Sequence, residues 1–65
     1  MFVIYLPDEV GFYGGVSVDR TLCVVDYDEC MHFNSIYCID WYRALLELAH
    51  NNVRFIVMKV EYENV

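Results

Sequence analysis

The apolar positions change period along the chain. Phe2 to Leu6 is a short run of β-branched and aromatic residues that stops at Pro7, and the stretch Asp8, Glu9, Val10, Gly11 has turn character. Phe12 to Val18 is of the same type, so the first two runs predict a hairpin. Gly14 and Gly15 fall inside the second run, where paired glycines mark a bulge or a close backbone approach. Asp19 to Val25 contains Thr21, Leu22, Cys23, Val24 and Val25 and is read as extended, either a strand or a buried connector.

The period then lengthens. Asp26 followed three residues later by Glu29 has the form of a capping box and predicts one helical turn over Tyr27 to Met31. Asn34 and Ser35, preceded by Phe33, supply a second N-cap for a main helix running from about Ser35 to His50 and closing at Asn51 and Asn52. On that helix Asp40, Arg43, Glu47 and His50 form one narrow polar stripe, and the remaining residues are apolar or aromatic. A helix on a sheet needs a single apolar face. The surplus therefore meets another molecule, or the Asp19 to Val25 connector folds over it. Val53 to Tyr62 alternates, with Ile56, Met58, Val60 and Tyr62 on one face and Phe55, Val57, Lys59 and Glu61 on the other. The expected fold is a single α+β domain over residues 1–65: a hairpin, a short helical turn, a main helix and a C-terminal strand, in the order ββαβ, with the helix packed on a three-stranded sheet.

Composition adds a reason to look for partners. A chain of 65 residues removes only roughly 60% of its unfolded surface from water on folding. Yet 58% of its residues are hydrophobic, and they include one Trp, six Tyr and four Phe. That is more apolar material than so small an interior holds, which points to self-association as a homodimer or to binding of another protein. The net charge of −6 disfavours direct contact with a nucleic acid backbone and suits a partner with a basic surface, besides keeping an apolar chain soluble. No stretch reaches the roughly 18 apolar residues of a membrane span, and three cysteines without a leader-like segment fit a reducing cytoplasm.

Candidate chemistry is thin. Cys30, His32 and Cys38, with Cys23 or His50, are zinc-ligand types without the short pair spacings of a zinc site. Cys30 and His32 make at most a dyad lacking a third orienting group; Asp26, Asp28 and Glu29 are acids of a kind that flank a scissile bond or hold a divalent cation, but helix capping explains Asp26 and Glu29 more simply. Neither a cofactor nor a metal is expected, and the chain is read as a non-enzyme.

The stretch FYGGVSVDRTLCVVDYDECMHF, followed by Asn34-Ser35 and a helix, resembles small proteins encoded by tailed bacteriophages and prophages, in which a tyrosine and glycine hairpin precedes an acidic capped turn and a helix. The resemblance implies a host-takeover or anti-defence factor, although Cys38, Trp41 and Tyr42 stand where similar proteins place small or charged residues. On this reading the chain binds and inhibits or redirects a host protein. Tyr37, Trp41 and Tyr42 are its apolar anchors, and Asp26, Asp28, Glu29, Asp40 and Glu47 supply steering charge. A second reading is an oligomeric sponge for a nucleotide or signalling molecule, contacted by Tyr13, Gly14, Gly15, Arg20 and Arg54. A third is a structural subunit of a larger particle.

Overall fold

The computed structural model describes residues 1–60, so Glu61 and Tyr62 of the expected last strand lie outside the described residues. Strands β1 (Phe2–Leu6), β2 (Gly11–Val16) and β3 (Leu22–Val25) come first, followed by a 3-10 turn (Tyr27–Glu29), helix α1 (Ile36–Ala49) and strand β4 (Ile56–Lys59). The α+β class is as expected. The sheet has four strands rather than three, in the order β3-β2-β1-β4, with every neighbouring pair antiparallel.

The extra strand is the ambiguous connector. Leu22–Val25 pairs with β2 because a tight loop turns the chain at Ser17–Thr21, so β2 ends at Val16 rather than running on to Val18 as the sequence pattern predicts. Ser17 donates its amide to the Thr21 carbonyl at 2.9 Å, Arg20 takes φ +67°, and the Asp19 carboxylate accepts from the Ser17 hydroxyl and from the Thr21 amide. These hydrogen bonds, the Ser17 hydroxyl's first, hold the Asp19 carboxyl below the usual carboxylate range.

Gly14 and Gly15 do form a bulge: the β2–β3 register shifts between Tyr13 and Val16, and Gly15 sits at φ +118°. The bulge opens a gap in the sheet. β1 pairs with β2 only at Tyr5 and Leu6, and farther along the segment after the 3-10 turn enters instead. Met31 donates its amide to the Tyr13 carbonyl at 3.0 Å, and Phe2 and Phe33 exchange two backbone hydrogen bonds of 2.8 Å. Backbone groups exposed by the bulge are thus satisfied within the chain.

Side chains alternate across the sheet as the pleat requires. Ile4, Leu6, Tyr13 and Phe55 face α1 and make the core with Ile39 and Leu46, flanked by Phe2, Leu22, Phe33, Tyr42, Val53 and Val57. The other face carries an aromatic row, Tyr5 on Phe12 (5.3 Å between ring centres), Phe12 on Tyr27 (5.5 Å) and Tyr27 on His32 (5.6 Å), which places the 3-10 turn on the side of the sheet away from α1.

The N-terminal end of α1 is as expected and its C-terminal end is not. Ser35 is the N-cap and accepts from the Tyr37 amide at 3.2 Å, as predicted. The C-cap is His50, whose amide reaches the Leu46 carbonyl, and Asn51 and Asn52 do not adopt a left-handed conformation. The Asp26 side chain makes no cap hydrogen bond, so the predicted capping box does not form and a single 3-10 turn results.

Tyr13, fully buried, shares a 3.0 Å hydroxyl–hydroxyl hydrogen bond with Tyr42. Burial first, and that bond second, push its hydroxyl well above the ordinary tyrosine range. Stability should therefore fall as pH rises past about 10, where an unfolded tyrosine ionises but folded Tyr13 keeps its proton. Denaturant midpoints measured between pH 8 and 11 should show that fall in the natural protein and a shallower one in Tyr13→Phe.

Candidate protein-binding face

Around α1 the angular position advances 100° per residue, which separates three faces. Ile39, Tyr42 and Leu46 turn to the sheet. Asp40, Arg43 and Glu47 line one flank, where the Arg43 guanidinium donates to Asp40 at 2.6 Å and to Glu47 at 2.8 Å. The face opposite the core carries Tyr37, Trp41, Ala44, Leu45 and Leu48 at helical spacing, with Tyr37 84%, Trp41 65%, Leu45 44% and Leu48 82% exposed. The polar stripe thus lies beside the buried face rather than opposite it, and the outward face is left apolar. β3 occupies the sheet edge beyond β2, so the connector does not fold over this surplus.

The expected anchors divide. Tyr37 and Trp41 stand outward as predicted, whereas Tyr42 points inward, hydrogen-bonded to Tyr13 and packed on Phe33 with ring centres 5.4 Å apart. Tyr42 is thereby absent from the outward face, where Leu45 and Leu48 are exposed instead. The signal was present in the spacing, since residues 37, 41, 44 and 48 repeat at four, three and four. The charges divide as well. Asp40 and Glu47 flank the stripe but are matched by Arg43, while Asp26, Asp28 and Glu29 lie on or beside the 3-10 turn, across the sheet from α1. A Debye length of about 8 Å at physiological salt limits what those three contribute at the helix face.

The residues of the small-molecule reading are not brought together. Tyr13 is buried, Gly14 and Gly15 serve the bulge, and Arg54 is bound to Asp8 by two hydrogen bonds of 2.8 and 3.3 Å. The Arg54 bonds hold the Asp8 carboxyl below its ordinary range. Arg20 lines a separate cavity of about 400 Å3 with Glu9, Thr21, Leu22, Val24 and His50. Cys30 and His32 do not meet as nucleophile and base: the Cys30 thiol donates to the Tyr27 carbonyl, and Nδ1 of His32 lies 3.0 Å from the Cys30 carbonyl. Burial also pushes the Cys30 thiol up, away from the reactive thiolate. Among the described residues no three of His, Cys, Asp and Glu gather as a metal site, and no helix is long and apolar enough to cross a membrane.

Protein-family models, curated proteins and solved structures gave no match to this chain.

A second cavity, of about 440 Å3, runs between the start of α1 and the outer strand β4, lined by Ile36, Tyr37, Asp40, Arg43, Phe55, Ile56 and Val57. It joins the outward helix face to the sheet edge through Tyr37.

Proposed function

We propose that the protein is a non-enzymatic accessory factor of the phage type, acting in the cytoplasm, that binds a host protein and inhibits or redirects it. The supporting observation is the uncovered stripe Tyr37, Trp41, Ala44, Leu45 and Leu48 on a helix whose opposite face is already committed to the core. The stripe extends roughly 16 Å along the helix. Anchors at i, i+4, i+7 and i+11 match the way an amphipathic helix lies in an apolar groove. Trp and Tyr concentrate binding energy when buried at the centre of an interface, and Ala44, between Trp41 and Leu48, lets a partner approach the helix backbone. The partner is expected to offer an apolar groove on a basic surface, since the −6 charge repels acidic surfaces and speeds encounter with basic ones. The host-directed, phage-type part of the reading draws on the resemblance of the Phe12 to Phe33 stretch.

The test is to place a photo-crosslinking side chain at Leu48, identify the captured partner, and measure its affinity for Trp41→Ala and Leu48→Ala proteins. Truncating Trp41 should weaken binding by about 30-fold, the loss typical of a hot-spot residue, and Asp28→Asn should change it by less than about threefold. Equal affinity of the natural, Trp41→Ala and Leu48→Ala proteins would show that the partner docks elsewhere.

A further inference from the structure

The phase of the backbone hydrogen bonds singles out a second surface. Val60 donates its amide to the Met1 carbonyl at 2.8 Å, and Phe2 turns both of its backbone groups the other way, to Phe33. In an antiparallel ladder bonded and non-bonded pairs alternate. With the register Phe2↔Lys59, Val3↔Met58, Ile4↔Val57, Tyr5↔Ile56, the residues of β4 that bond β1 are therefore Ile56, Met58 and Val60. The N–H and C=O groups of Val57 and Lys59 point out of the sheet, at an edge with no neighbouring strand among the described residues. Around that edge Ile36, Ile56 and Met58 are each more than two-fifths exposed.

We infer that a second copy of this chain pairs there, β4 against β4, antiparallel and two-fold symmetric about Met58, so that two four-stranded sheets become one of eight strands. Met58 is the midpoint of the stretch Ile56 to Val60 that is held against β1. In this register Val57 of each copy exchanges two backbone hydrogen bonds with Lys59 of the other, which uses the outward groups of both residues. Charge favours the same register. Arg43 and Arg54 have acidic partners within the chain, whereas Lys59 has no ion pair among the described residues. Pairing about Met58 sets each Lys59 opposite the second copy's uncharged Val57, at the groove whose wall carries the Asp40–Arg43 ion pair. A two-fold at Lys59 would instead set the two ammonium groups face to face, which opposes pairing. The dimer uses the edge of the sheet and the groove beside Tyr37 and leaves Trp41, Ala44 and Leu48 of α1 open, so it stands or falls separately from host-protein binding through Trp41 and Leu48.

Sedimentation equilibrium should give twice the 7.7 kDa chain mass. Lys59→Glu should weaken the dimer by about fivefold, an effect that shrinks in high salt. Register is read by disulfide trapping in a Cys38→Ser background, with that background alone as the blank. Opposed Met58 residues in a non-bonded pair have Cα atoms about 4.5 Å apart, within disulfide reach, whereas the two Lys59 residues are offset beyond the roughly 7 Å limit. Met58→Cys should cross-link quantitatively under mild oxidation, and Lys59→Cys should behave as the blank. A monomeric mass, equal trapping at both positions, or trapping at neither would overturn the proposal. Trp41→Ala should leave the mass and the trapping pattern unchanged.

Discussion

Replacing Ile39 by alanine is expected to cost about 3 kcal/mol, a large share of the protein's stability. Ile39 is fully buried where α1 meets Ile4, Leu6, Tyr13 and Phe55. Removing the larger part of a buried aliphatic side chain costs roughly 2–5 kcal/mol, because its neighbours relax only partly into the space. Domains of this length hold only about 3–10 kcal/mol of stability, so a single cavity consumes a large share. The informative comparison is two residues along the same helix. Trp41→Ala removes more atoms, yet they face solvent, and its denaturant midpoint should stay within about 0.5 kcal/mol of the natural protein. Urea titration followed by far-ultraviolet circular dichroism tests both. Were Trp41→Ala to unfold the protein as readily as Ile39→Ala, the outward assignment of the Trp41 face would be wrong.

That contrast also marks how far one strand of sequence can be read. The alternation of Phe55 and Val57 against Ile56 and Met58 reports which side of β4 meets the helix, because a half-covered strand must separate its faces. Ser35 was legible as a cap for a local reason: its hydroxyl satisfies an amide two residues away. The Gly14-Gly15 bulge was legible because few other pairs tolerate the backbone it needs. What escaped depends on contacts distant in sequence. Leu22–Val25 is apolar without alternation, and only its pairing with β2 distinguishes a strand from a buried connector. Tyr42 and Trp41 are adjacent aromatics on one helix, and their opposite fates follow from a 100° rotation and from Tyr13, twenty-nine residues earlier, offering Tyr42 a hydroxyl partner. The proposed binding face was legible as a surplus of apolar residues but not as a particular set. Its outward members emerge once Ile39 and Leu46 are fixed as the inward ones.

Gly15→Ala should destabilise the protein, and for a reason that separates it from its neighbour. A Cβ at Gly15 would touch nothing closer than the Met31 sulfur at 4.0 Å, so space is available. The obstacle is φ of +118°, a conformation that costs a residue with a side chain about 1–3 kcal/mol. At Gly14 the obstacle is a side chain, since a Cβ there would lie 2.7 Å from Cγ2 of Val25. The two substitutions should therefore respond differently to a second change. Val25→Ala should recover most of the stability lost in Gly14→Ala and none of that lost in Gly15→Ala. The local consequence differs too, because the bulge at Gly15 opens the gap filled by Met31 and Phe33. If Gly15→Ala relaxes the bulge toward regular pairing, β2 competes for the groups of Phe2, and the Phe33 amide should exchange its hydrogen much faster, while amides in β4 remain protected. Rescue of Gly15→Ala by Val25→Ala would mean that crowding, not backbone conformation, dictates glycine at that position.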